Sequence, residues 1–209
     1  MVVTVKYIHT VFHRCLSQAL KWGLVTGNVA DSVDAPTPDK KPVEPLTQPQ
    51  VRHFLEVAEQ DRLYPFYVVA LGCGLRKGEL LALTWDCIDW HNRLFHVKRS
   101  LQALKGKGLV VGEPKSQSSR RVVAMPEFVQ RVLADHMVNK TVESEYVFCT
   151  SKGTPFGPRN IIRHFKGVLK KAGLPATIRI HDLRHTFISF MFPQKMSNQL
   201  LVILASPPP

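Results

Sequence analysis

The chain has 209 residues, 44% of them hydrophobic, enough to bury at least one sizeable core with a smaller element attached. Lys and Arg number 28 against 16 acidic residues, and the resulting charge of +12 and pI near 9.8 suit a partner that carries phosphates, although a generic basic protein would read the same way. Charge and histidine arrive too early after Met1 for a signal peptide, Leu200 to Ala205 falls far short of the ~20 apolar residues of a spanning helix, and four scattered cysteines without a CxxC pair give neither zinc site nor disulfide frame, so a reduced, cytoplasmic chain is expected.

From the amino terminus, Ile8, Val11, Phe12, Cys15, Leu16 and Ala19 recur at spacings of three and four, which predicts an amphipathic helix over Val5 to Trp22, closed by Gly23. Asn28 starts a short turn, and the proline-rich stretch Asp34 to Pro45 reads as a linker and domain boundary. Thr47 with Pro49 just inside predicts a helix start, with Val51, Phe54, Leu55 and Ala58 as its buried stripe to about Gln60. Tyr64 to Leu71 predicts a buried helix broken by Gly72 and Gly74. A further helix is expected from Lys77 to near Trp85, with Leu80, Leu81 and Leu83 inward. The period then changes. Arg93 to Lys98, Leu109 to Val111 and Arg121 to Met125 predict one small antiparallel sheet. Helical spacing returns at Pro126 to Val138 and Pro158 to Ala172, with Glu145 to Cys149 as a short extended piece between them. The fold class is therefore α+β, mainly helical.

Two arginines stand in distinctive company: Arg76 in Gly72-Cys73-Gly74-Leu75-Arg76-Lys77-Gly78-Glu79-Leu80-Leu81, and Arg184 in His181-Asp182-Leu183-Arg184-His185-Thr186. A phosphodiester under attack gathers negative charge on its non-bridging oxygens, and guanidinium forks stabilise that charge with paired hydrogen bonds. Surface ion pairing is the commoner fate of any single arginine. Glu79, three residues after Arg76, lies on the same helical face and can hold its guanidinium.

Those two motifs, in that order, resemble the phage integrase or tyrosine recombinase family, whose members cut and rejoin DNA through a covalent tyrosine link. The resemblance implies that Arg76 and Arg184 are the two catalytic arginines. His181 then assists proton transfer or contacts the scissile phosphate, a role that suits an imidazole titrating near neutrality. His185 is either a second phosphate contact or a packing residue. Lys115, in Glu113-Pro114-Lys115-Ser116-Gln117-Ser118-Ser119-Arg120-Arg121, corresponds to the hairpin lysine that protonates the leaving 5′ oxygen, with a solvated loop lysine as the plainer reading. Arg120 and Arg121 fit phosphate anchors or hairpin surface better than catalysts. No metal or other cofactor is called for, because the arginines supply the positive charge that magnesium supplies elsewhere.

By the same resemblance, residues 1–36 correspond to the end of a helical core-binding domain, 37–45 to a linker, 46–192 to an incomplete catalytic domain, and 193–209 to an aberrant tail. The missing helices imply that Met1 starts inside a truncated or internally started frame. No tyrosine follows Arg184: Tyr7, Tyr64, Tyr67 and Tyr146 all precede it. Back-translation of residues 196–209 in another frame permits the family's Gly-His box, so a frameshift near Pro193 is one origin of that tail. The partner implied is double-stranded DNA, shared with an intact recombinase or with other protomers bound to it. Three readings stay open: a recombinase fragment that cannot cleave alone, a non-catalytic competitor or inhibitor, and an enzyme whose tyrosine comes from a partner subunit.

Overall fold

The computed structural model describes residues 2–37, 44–112 and 121–191. The chain divides into two compact units, Met1–Pro42 and Val43–Pro209. In the first, α1 spans Val2–Lys21, three residues longer at its start than the apolar spacing predicts. Gly23 takes a left-handed φ of 70° and Leu24 N–H returns to the Ala19 carbonyl at 3.0 Å, so the helix ends where glycine can reverse the chain. Asn28 then caps a 3-10 turn over Val29–Ser32 through its side-chain oxygen, while its amide donates to the His13 carbonyl and to Ser17 Oγ. None of the residues of α1 is buried, and Ile8, Val11 and Phe12 stay exposed.

The second unit begins with a reciprocal cap. Thr47 accepts from Gln50 N–H while Gln50 accepts from Thr47 N–H, and α2 follows over Gln48–Ala58. Its predicted stripe, Val51, Phe54, Leu55 and Ala58, is buried. Next, α3 spans Tyr64–Cys73 and is buried without interruption from Phe66 onward, packing against α2, α5 (Glu127–Val138) and α7 (Ile180–Met191). An aromatic chain ties these layers: Phe54 meets Tyr67 at 5.2 Å and Phe165 at 5.7 Å, and Phe66 meets Phe148 at 5.3 Å. Such edge-on pairs add roughly 0.5–1.5 kcal/mol each beyond the area they bury.

Several expectations need correction. Gly72 does not break α3. It lies within the helix, where a Cβ would come 2.6 Å from Val129 and 2.8 Å from Phe128, so its lack of a side chain admits α5. Only Gly74 ends the helix, at φ 60°. The next helix, α4, is just Lys77–Leu81, and a 3-10 turn takes over at Trp85–Cys87. Cys15 is exposed, whereas Cys73 and Cys87 are buried as packing residues.

There are two small antiparallel sheets among the described residues where one was expected. In the first, β2 (Leu94–Val97) pairs with β1 (Ile88–Asp89) on one side and β5 (Arg121–Ala124) on the other. The second is a hairpin of β3 (Ser100–Leu104) and β4 (Gly108–Gly112). Tyr146 and Cys149 make only isolated bridges, to Thr84 and Pro155. The last two helices begin close to where helical spacing resumes: α6 covers Pro158–Lys171 and α7 carries the histidine-arginine motif.

Candidate active site

The site is built where α3 ends. The left-handed turn at Gly74 presents its carbonyl to Arg184, whose Nη1 donates to it. A Cβ on Gly74 would sit 2.2 Å from the Phe187 ring, so α7 is seated on this glycine by a hydrogen bond and by close packing at once. Two residues later the chain is extended at Arg76 (φ −70°, ψ 149°), which opens α4. Gly78 lets α4 approach β3, since a Cβ there would come within 2.6 Å of Ser100 Oγ.

Glu79 is the hub. Its carboxylate, 5% exposed, accepts from Arg76 N–H at 2.7 Å, from Arg76 Nη1 at 3.0 Å, and from Arg121 Nη1 and Nη2 at 2.7 and 2.8 Å. Burial alone would raise its pKa, but the bonds from Arg121 and Arg76 outweigh burial and hold it below the ordinary carboxylate value. Arg121 is thereby engaged end-on, one Nη to each carboxylate oxygen, and its own pKa is raised by those hydrogen bonds. The Arg76 side chain remains half exposed beyond its bond to Glu79.

On α7, Asp182 closes the first turn: it accepts from Arg179 N–H at 2.8 Å and from Arg179 Nη2 at 2.9 Å. Leu183 points into the core and Thr186 is fully buried, donating to the Asp182 carbonyl at 2.8 Å and accepting from Leu46 N–H at 3.0 Å. Those anchors turn His181, Arg184 and His185 away from the core. The imidazoles of His181 and His185 meet edge to face with centroids 4.6 Å apart. Burial, then His185 and Arg184, push the His181 pKa below its ordinary value. Burial also lowers the Arg184 pKa, and the neighbouring charges of Arg76 and Arg121 lower it further against the opposing pull of Glu79. Three guanidiniums thus share one electrostatic neighbourhood that holds a single buried carboxylate. Repulsion among them is relieved by an anion.

Lys115 and Arg120 lie outside the described residues. Sequence reasoning gave no role to Asp182 or Thr186 and read Gly74 only as a helix breaker. For Asp182 a signal existed, an acid three residues after Arg179 at a helix start. The Leu46 to Thr186 bond spans 140 residues and leaves no local trace. Among the described residues, no group of three or more His, Cys, Asp or Glu could hold a metal ion, and no helix is long and apolar enough to cross a membrane.

The family comparison decides the lineage: residues 44–202 match the phage integrase family. The chain belongs to that family. Among curated members it is 28% identical over 193 residues to a tyrosine recombinase XerC-like protein of Caldanaerobacter subterraneus, covering 79% of this chain and 49% of that one. It is 29% identical over 206 residues to an integrase of Streptomyces ambofaciens, covering 88% and 51%. The chain therefore spans about half the length of these relatives. A solved Tn1549 transposon integrase in complex with circular-intermediate DNA superposes with a TM-score of 0.81 at 26% identity, covering 96% of this chain and 70% of that one. A lambda integrase dimer bound to its core site shares the fold at a TM-score of 0.62 and 15% identity. The mainly helical domain with small antiparallel sheets is the integrase catalytic fold.

Proposed function

We propose that this chain is a site-specific recombinase fragment that grips a phosphate of double-stranded DNA and does not complete strand cleavage alone. The observation that carries the proposal is the hydrogen bond from Arg184 to the carbonyl of Gly74, two residues before Arg76, with the charge of Arg76 helping to lower the Arg184 pKa. Arg76 and Arg184 would clasp the non-bridging oxygens, and His181 would donate to the same phosphate or assist proton transfer. Glu79 positions Arg76 and Arg121 and His185 supports His181, while Lys115 would protonate the leaving oxygen and Arg120 would contact phosphate. An all-basic set of charges on α6 supports a DNA partner, because Arg159, Arg163, Lys170 and Lys171 are exposed and that helix has no acidic residue.

In the family chemistry a tyrosine oxygen attacks phosphorus and the 5′ oxygen leaves with a proton. Residues 185–209 contain no tyrosine. The tyrosines within the second unit are poor substitutes: burial raises the pKa of Tyr64, Tyr67 and Tyr146 alike, which makes each hydroxyl harder to ionise. In the cytoplasm the chain would then occupy recombination sites as a competitor of an intact recombinase. A nicked suicide duplex tests this. The chain should retard the duplex yet form no covalent adduct after denaturation, and an adduct that survives denaturant would contradict the proposal.

A further inference from the structure

The catalytic unit carries a second concavity that the phosphate pocket does not use. It opens beside Leu63, at the amino-terminal end of α3, whereas the arginines gather beyond Gly74 at the other end; ten helical residues, about 15 Å of rise, lie between. The cleft encloses about 340 Å³, room for one small molecule.

Its wall is a run of rings. Trp85 leans on His136 at 6.0 Å and His136 stacks on Phe148 at 5.9 Å, with Trp90, outside the lining, stacked behind Trp85 at 6.4 Å. The His136 ring is fixed by donation from Nε2 to the Val147 carbonyl at 2.8 Å. The buried indole N–H of Trp85 has no acceptor among the described residues. The charged residues of the lining are Arg62 and Lys140, and no Asp or Glu lines the cleft. Arg62 lies over the Phe156 ring at 4.8 Å and Lys140 over Trp85 at 5.9 Å, and neither pairs with a carboxylate among the described residues.

We infer that this cleft binds a small aromatic anion, a planar ring bearing a carboxylate or a phosphate. The ring would lie along Trp85, His136 and Phe148, and Arg62 and Lys140 would hold the anionic group. The charge pattern selects among ligands: a cation would be repelled, and an anion would gain charge-assisted hydrogen bonds from Arg62 and Lys140 that a neutral ring cannot match. A duplex cannot enter a cleft of this size, so the site is separate from DNA binding and can load whether or not the arginine pocket is occupied.

Fluorine NMR on the intact chain tests the inference, with para-fluorobenzoate, para-fluorophenyl phosphate and neutral para-fluorobenzyl alcohol as probes. At least one anion should broaden on adding protein, while the alcohol should not, and the tighter anion identifies the head group. Arg62→Ala and Lys140→Ala, both at exposed side chains, should each weaken binding by roughly tenfold, the loss of about 1.4 kcal/mol. Arg163→Ala on α6 should leave it unchanged. The inference is overturned if neither anion broadens, if the alcohol broadens equally, or if binding survives both cleft variants while falling with Arg163→Ala, which is what a generally basic surface would give.

Discussion

Glu79→Gln tests the hub of the arginine cluster while preserving shape. The wild-type carboxylate accepts four hydrogen bonds at 2.7–3.0 Å, three of them from guanidinium nitrogens, at a position only 5% exposed. Glutamine keeps one oxygen acceptor and turns an amide donor toward donors. Removing one partner of a buried ion pair costs about 3–5 kcal/mol, and the retained acceptor places this variant near the lower end, ~3 kcal/mol. With an m-value of about 2 kcal/mol/M, the urea midpoint should fall by ~1.5 M. A double-mutant cycle with Arg121→Ala should show that most of the loss is shared, because both changes break the same bidentate pair. The pH dependence has a definite sign. Since the folded pKa of Glu79 lies below the ordinary value, its contribution is complete above the unfolded pKa and disappears as pH falls through the folded one, so wild type and variant should converge in acid. A midpoint shift below about 0.3 M at neutral pH would refute the reasoning.

Gly74→Ala should destabilise the domain by about 2 kcal/mol or more, from a left-handed φ and a 2.2 Å approach to Phe187, and Phe187→Ala should recover part of the folding defect in a thermal melt of the double variant. Thr186→Val strips the acceptor from the buried Leu46 amide and should cost about 1–3 kcal/mol, with faster hydrogen exchange at Leu46 as its signature. His181 should titrate below an ordinary histidine in an NMR experiment; stability linked to it is lost as pH falls, because the unfolded chain takes up the proton first. Adding duplex DNA should raise that pKa, since a phosphate stabilises the imidazolium.

Sequence reading succeeded where the determinants are local. The Thr47 cap, the buried stripe of α2, and the helices at Glu127–Val138 and Pro158–Lys171 follow from spacing and terminal residues. It failed where one contact crosses the fold. Gly72 looks like a helix breaker until Phe128 and Val129 are seen to need its bare Cα. The pairing of Arg121 with Glu79 went unforeseen because the two residues are 42 apart in the chain. β3 was missed because Ser-Leu-Gln-Ala-Leu lacks the β-branched residues that mark a strand, and only pairing with β4 across the Lys105–Lys107 turn reveals it. Within the site, the contact between Arg76 and Glu79 was legible from their three-residue spacing, whereas the Gly74 carbonyl that joins the two arginine segments has no side chain to announce it.

Arg76 and Arg184 are proposed to act together on DNA phosphate. Duplex affinity measured by fluorescence anisotropy across a salt series, for the wild type, Arg76→Ala, Arg184→Ala and the double variant, addresses it directly. Each single change should flatten the plot of log affinity against log salt by about one unit or less and weaken binding uniformly across sequences, with the double variant losing less than the sum because both groups serve one phosphate. Unchanged salt slopes and affinities in folded variants would contradict the account.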